Sequence, residues 1–244
     1  MTRPFGWSVI TLSETPAIET VEICRTYDGP DGPIHALKGV NLVVPVGHMV
    51  AVKGRSGSGK TTLLNIIGGL DHPTSGEVRV FGERVDRMGP GAAARWRAEN
   101  LGFVFQTHGL MPTMSAFENV ELAVRLAGKK RKERTTLATE HLDRVGLASR
   151  MNHRPTELSG GQRQRAAVAR ALASGNKLII ADEPTAGLDT ATSTEVFQLL
   201  RSLVHDSGIT ILMATHDPVA DDFMDTTSHL ELGSLVIEKL TPRS

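Results

Sequence analysis

The chain has 244 residues, enough for one large domain or for one core with a small subdomain. Its 27 basic and 27 acidic residues cancel, so no basic field argues for nucleic acid. A single cysteine, Cys24, excludes an internal disulfide and a Cys-based zinc site and fits a reducing, cytosolic compartment. No stretch approaches the ~20 apolar residues that span a bilayer, so a membrane role has to come through a partner.

Met1 to Leu12 is broken by Gly6, Ser8 and Thr11 and reads as part of a flexible tail, not a signal peptide. Residues 17 to 27 alternate imperfectly, as a half-buried strand does. Asp28 to Pro33 is a turn cluster, and Ile34 to Val46 follows as one or two strands. Tyr27, the only tyrosine, ends the first of these strands upstream of a glycine-rich loop, where it is placed to stack on a nucleotide base.

Met49 to Val52 is a short apolar run with the character of a buried strand, and Leu63 to Ile67 opens a helix. Between them lie Gly54, Arg55, Ser56, Gly57, Ser58, Gly59, Lys60, Thr61 and Thr62. Strand, glycine-rich turn and helix give the G-x-x-x-x-G-K-[ST] pattern a mechanism. The glycines let backbone N–H groups converge on phosphate oxygens, and the helix N-terminus adds its dipole. Lys60 then reaches the β- and γ-phosphates, and the Thr61 hydroxyl ligates Mg²⁺. The segment predicts that the chain binds a nucleoside triphosphate.

Glu77 to Gly82 alternates as a strand, residues 89 to 99 read as a helix, and Leu101 to Phe105 is a short strand that ends at Gln106. Beyond it, Met114 to Ala127 and Thr135 to Val145 have helical apolar spacing. The charged run Lys129 to Arg134 between them reads as a solvated link.

Leu158, Ser159, Gly160, Gly161 and Gln162 open a helix that runs to about Ser174, with Ser159 as N-cap and Gln162 completing a capping box. Two glycines at a helix start also make a second anion-ready N–H cluster. Two such termini on one chain suggest action on the same nucleotide, across a dimer.

Lys177 to Glu183 is an apolar run that ends in two carboxylates, as a buried parallel strand does at the edge where ligands sit. Asp182 is placed to hold Mg²⁺, directly or through water, and Glu183 to orient and deprotonate an attacking water. Asp189 starts the helix from 190 to about 206. Ile209 to Ala214 is another buried strand, which delivers His216 to the same edge, in reach of a γ-phosphate. Residues 229 to 240 supply closing strands.

Together these residues resemble the nucleotide-binding subunit of an ATP-binding cassette (ABC) transporter over nearly the whole chain. Walker A is Gly54 to Thr61, the Q-loop residue is Gln106, and the signature LSGGQ is Leu158 to Gln162. Walker B is Leu178 to Asp182 followed by the catalytic-type Glu183. The D-loop is Ala186 to Asp189, the switch histidine is His216, and Tyr27 matches the A-loop aromatic.

The resemblance implies an α/β P-loop NTPase fold: a mixed sheet with helices, an N-terminal antiparallel β subdomain and an inserted α-helical subdomain. It divides the chain into a tail (1–16) and one ABC ATPase domain (17–244), whose core is 17–106 and 158–244 and whose helical subdomain is 107–157. It implies ATP and Mg²⁺, with Gln106 joining Thr61 and Asp182 at the metal. Glu183, His216, Lys60 and Gln106 would be the catalytic set. The implied head-to-tail homodimer has Ser159, Gly160, Gly161 and Gln162 of one protomer closing on ATP held by the other, with Asp189 at the interface.

His35 to Val40, Leu64 to Asp71, Gly102 to Gln106 and Glu118 to Val120 are similar to the macrolide-export, lipoprotein-release and antimicrobial-peptide-resistance group of bacterial ATPases. That likeness implies a permease partner, work in export or mechanical coupling, and a place on the cytoplasmic face of the membrane.

Lys53 and Arg55 depart from the apolar or proline residues expected there, a change that bears on nucleotide affinity, and Ala186 and Gly187 replace a common Ser-Ala. A soluble ATPase acting on DNA or ribosomes is disfavoured. The interval from Gln106 to Leu158 has no room for a long coiled coil, and there is neither a second cassette nor a set of zinc cysteines. A regulatory cassette of a cell-division-type complex is the remaining alternative; intact Glu183 and His216 weigh against a dead site but not against signalling.

Overall fold

The computed structural model describes residues 15–173 and 175–240. Most of the expected tail and the end of the helix expected to reach Ser174 lie outside the described residues.

The chain builds two sheets. The first strand, β1 (Ile18–Gly29), pairs antiparallel with β2 (Gly32–Val44) and with β4 (Ser75–Val80), and the two-residue β5 (Glu83–Arg84) closes that sheet in the order β2-β1-β4-β5. The second sheet has the order β10-β9-β3-β8-β7-β6. It comprises β3 (Met49–Lys53), β6 (Leu101–Val104), β7 (Leu178–Asp182), β8 (Thr210–Ala214), β9 (Thr226–Glu231) and β10 (Ser234–Leu240). All its pairings are parallel except β9 with β10, so the sheet is mixed. This is the α/β architecture expected from the sequence.

The three central strands read as continuous apolar runs because both of their faces are covered. Side chains alternate across a strand with period two, and here the alternation divides two cores. Val50, Val52, Ile180, Leu212 and Ala214 pack with Leu63, Ile66 and Ile67 of α1 (Lys60–Ile67) and with Ile18, Val40 and Val78 of the antiparallel sheet. Met49, Ala51, Ile179, Ala181, Ile211 and Met213 face the other way. They meet α3 (Ala116–Leu126), α4 (Arg131–Arg144), α5 (Gly160–Leu172) and α6 (Thr190–Ser207) through Val120, Leu142, Val168, Phe197 and Leu200. The remaining helix, α2 (Pro90–Asn100), lays Trp96 against the first core.

Two local expectations are corrected. Asp28 and Pro33 are not in the turn: they pair across the β1–β2 hairpin, and only Pro30 and Asp31 lie between the strands. Tyr27 therefore sits inside β1, and residues from Gly32 to Val44 form one strand. The run Lys129–Arg134 is not a link either, because α4 begins at Arg131. Glu133 accepts the Lys130 N–H at 3.1 Å, and an acidic side chain in the first turn suits the positive end of the helix, so the charged residues start the helix.

What positions the site is the register of the second sheet. Val52 and Asp182 both lie opposite Ala214, and Ala181 lies opposite Val104. Four parallel strands thus end level, and everything that follows them emerges along one edge.

Candidate functional site

The loop after β3 turns into α1 at Gly59, whose φ is +105°. A Cβ there would sit 2.5 Å from the Ala36 carbonyl, so both the backbone conformation and the space demand glycine. Helix α1 has no acidic residue in its first turn, which leaves its N-terminal N–H groups and dipole uncompensated. Lys60, 8% exposed, lays its ammonium across the loop and donates to the Gly54 carbonyl at 2.7 Å and the Arg55 carbonyl at 3.1 Å. Glu183 Oε1 lies 3.9 Å from the same Nζ. Ser58 Oγ is buried in the loop, and among the described residues it has no hydrogen-bond partner. A buried hydroxyl left unpaired costs free energy that a ligand's polar atom would offset.

Thr61 and Asp182 meet although they are distant in sequence: the Thr61 hydroxyl donates to Asp182 Oδ2 at 2.8 Å. Burial pushes the Asp182 carboxyl above the usual carboxylate range; repulsion from Glu183 adds to this, while the Thr61 hydroxyl and Lys60 pull the other way. A hydroxyl beside a desolvated carboxylate is a hard oxygen donor set. Such a pair fits Mg²⁺, which takes one or two protein oxygens and completes its shell with phosphate and water.

Glu183 follows β7 with φ at +48°, a conformation that few non-glycine residues adopt. Its N–H donates to the Ala214 carbonyl at 2.8 Å, which fixes the backbone against β8. Its Oε2 accepts the His216 backbone N–H at 3.2 Å and the His216 Nδ1 at 2.9 Å. Since an ionised carboxylate only accepts, Nδ1 carries the proton and Nε2 points away from Glu183. The carboxylate is 14% exposed and the imidazole 73% exposed, so a surface histidine lies over a largely buried acid.

Other supports were not legible in the sequence. Thr185, buried after Glu183, donates to Asp217 Oδ2 at 2.8 Å and ties the two strand-end loops together. Lys53 is not free to meet a nucleotide: its Nζ pairs with Asp221 Oδ1 at 2.8 Å, in the short helical turn that follows His216. Arg25 lies over the Tyr27 ring, 4.3 Å from its centre, and binds Asp71 at 2.8 Å. The Tyr27 hydroxyl donates to the other Asp71 oxygen at 2.7 Å. Burial alone would raise Asp71, but the bonds from Tyr27, His72 and Arg25 hold its carboxyl below the usual range.

The structure thus brings Lys60, Thr61, Asp182, Glu183 and His216 together, with Gly54 to Thr62 around them. Gln106 stands exposed two residues beyond β6, on the same edge, and among the described residues no hydrogen bond joins it to Thr61 or Asp182. Tyr27 lies in the antiparallel sheet.

The residues Ser159, Gly160, Gly161 and Gln162 form a separate group at the N-terminus of α5. The capping box is present: the Gln162 N–H donates to Ser159 Oγ at 3.2 Å and the Ser159 N–H to Gln162 Oε1 at 3.0 Å. Gly160 and Gly161 pack against Leu188 and Thr192, where an added Cβ would come within 2.9 and 2.5 Å of their side chains. Asp189 caps α6 by accepting the Thr192 N–H at 3.0 Å, and so borders this group. Among the described residues no hydrogen bond or ion pair joins Ser159–Gln162 to the loop at 54–62.

The chain is similar to known proteins. Residues 37–186 match the ABC transporter family. The lipoprotein-releasing system ATP-binding protein LolD of Geobacter metallireducens is 44% identical over 91% of this chain and 98% of its own length. The macrolide export ATP-binding/permease protein MacB of Salmonella choleraesuis is 45% identical over 84% of this chain, which spans only 32% of that protein. Among solved structures, the ATP-binding cassette MJ0796, a dimer in a post-hydrolysis state bound to ADP and Pi, superposes with a TM-score of 0.85. Its identity is 38%, over 93% of this chain and all of that one.

Proposed function

This chain belongs to the ABC transporter family as an ATP-binding and ATP-hydrolysing cassette, and on that premise we propose that it works as a head-to-tail homodimer that drives a membrane permease. The observation that carries the proposal is the separation within one protomer. The loop at 54–62 and the strand-end acids form one half of a nucleotide site, while Ser159–Gln162 stand apart with their N–H groups unspent on that loop. A second copy, turned by a twofold axis, would supply each half with the other. The dimer described for the related MJ0796 cassette supports this reading.

In the proposed site the backbone of Gly54 to Thr62 and the Lys60 ammonium bind the phosphates, and the carbonyls now held by Lys60 are replaced by phosphate oxygens. Thr61 and Asp182, joined by Gln106, would hold Mg²⁺, which on binding neutralises phosphate charge. Glu183 orients the attacking water and takes its proton, and His216 steadies that carboxylate through Nδ1 while its Nε2 faces the γ-phosphate. Tyr27 stacks on the base, with one ring face already backed by Arg25. Asp189 meets the partner protomer. The helices within 107–157 form the unit that meets the permease.

No described helix is long and apolar enough to cross a membrane; likeness to LolD and to the ATP-binding/permease protein MacB supports a place on the cytoplasmic face, attached through a partner. Likeness to the LolD and MacB relatives favours export or mechanical coupling. The test is to tag the protein, extract membranes in mild detergent and identify what co-purifies. A permease with few spans and a large extracytoplasmic domain is the expected result. A many-span permease with a solute-binding protein would make the system an importer, and the absence of any membrane partner would remove the transporter reading.

A further inference from the structure

Arg170 lies ten residues beyond Gly160 on α5, and its side chain crosses to the turn that follows β6. Its Nη2 donates to the His108 carbonyl at 3.0 Å and the Phe103 carbonyl at 3.4 Å, and its Nη1 donates to the Gly109 carbonyl. Among the described residues no carboxylate pairs with it, and burial pushes its pKa down. A guanidinium remains charged even so, and a half-buried cation held only by carbonyls is costly unless those carbonyls stay in place.

The turn is shaped around that cation. His108 and Gly109 both take positive φ, +62° and +61°, which aims their carbonyls inward. A Cβ on Gly109 would come within 3.3 Å of both terminal guanidinium nitrogens. The His108 N–H returns to the Phe105 carbonyl at 2.9 Å, and the Phe103 and Phe105 rings stack at 5.5 Å. Gln106 sits in the middle of this turn.

We propose that Arg170 is a positioning residue that fixes the turn carrying Gln106 onto the helix carrying Ser159–Gln162, so that a displacement of one is passed to the other. A helix of this length is stiff, and ten residues of it span about 15 Å. Nucleotide contacts made near Gln106 would then set where the N-terminus of α5 presents itself to a second protomer. The inference rests on the reading above that ATP closes a dimer through Ser159–Gln162.

The test uses the Glu183→Gln protein as parent, to hold ATP without turnover. Nucleotide affinity is measured with a fluorescent ATP analogue, and dimer formation by sedimentation across an ATP titration. Arg170→Met is expected to leave analogue affinity within about twofold while raising the ATP concentration needed for the dimer about tenfold, the size of a modest coupling between sites. Arg170→Lys, which keeps the charge but loses the fork, is expected to fall between. Gly109→Ala, which presses on the guanidinium from the other side, should shift dimer formation in the same direction, and it carries the test if Arg170→Met does not fold. Parental dimer formation in Arg170→Met and Gly109→Ala would overturn the proposal. So would equal losses of affinity and dimer formation that follow a fall in melting temperature. A parent that stays monomeric at saturating ATP and Mg²⁺ would remove the dimer reading itself, and this inference with it.

Discussion

The strand-end edge around Lys60 and the N-terminus of α5 are built from the same kinds of parts, glycines and bare helix N–H groups, yet they are held differently. At the edge every chemical group is gripped by its neighbours: Lys60 by loop carbonyls, Thr61 by Asp182, Glu183 by His216. The loop behind Glu183 is tied down in turn by Thr185 and Asp217. At α5 the grip is all on the inward side, through the packing of Gly160 and Gly161 on Leu188 and Thr192, while Ser159 is exposed. One region is organised to do chemistry on a small ligand. The other is organised to be a rigid, outward-facing surface. The difference supports the proposal that the chain carries two half-sites that do not serve each other.

Substitutions at the two regions should separate accordingly. The largest effect is expected from Glu183→Gln, with hydrolysis falling on the order of 100-fold or more and ATP binding retained, because only proton transfer and water positioning are removed. Turnover at the wild-type rate would break the role given to this carboxylate. Ser159→Phe keeps the chemical edge intact but places a bulky ring where the partner must close. Hydrolysis should fall about tenfold while nucleotide binding to the monomer is unchanged, and the lost cap should cost about 1 kcal/mol in a denaturant melt.

A third substitution tests the frame beneath both regions. Asp225 is buried and accepts two bonds from Arg201 and one from the Met49 N–H at the start of β3. Burial alone would raise its carboxyl, but these bonds outweigh it and hold the group below the usual range. A carboxyl whose pKa is lowered by folding stabilises above its unfolded value, about 3.9, and loses that contribution as the pH falls through the folded value. Asp225→Asn should therefore cost about 2 kcal/mol near neutral pH and flatten the acid limb of the stability curve below about pH 4. An unchanged acid limb would show that Asp225 does not govern it.

The smallest effect is expected from Asp71→Asn, which loosens Tyr27 and Arg25. The KM for ATP should rise about threefold with kcat unchanged, as loss of uniform binding does. A change in kcat alone would place Tyr27 elsewhere in the reaction.

How much of this was legible in the sequence follows from the same contrast. The phosphate loop, the two acids at the end of β7 and the capping box at Ser159 are written in consecutive or closely spaced residues, with strand or helix patterns on either side. The sheet order could not be read so directly, but the continuous apolar runs at β3, β7 and β8 announced strands buried on both faces. What remained hidden depends on the meeting of distant segments. Lys53 looked like a change near the nucleotide, and only the fold shows its ammonium turned to Asp221. Tyr27 was visible as an aromatic residue, but not the Arg25 and Asp71 that hold it. The run at 129–134 misled because α4 buries only Ala138 and Leu142, too few apolar residues to extend a helical period back through its charged first turn.

The most direct measurement of the two-half-site account is a mixing experiment. Lys60→Met protein lacks the ammonium of the phosphate loop and Ser159→Phe protein lacks a docking end, and each alone is expected to keep no more than about a tenth of the parental activity. In a mixed dimer one site joins an intact loop to an intact α5 terminus, so mixing equal amounts should restore about a quarter of the parental ATPase activity, since half the dimers are mixed and each has one whole site. If both halves of the site belonged to the same chain, mixing would restore nothing, and the account would be wrong.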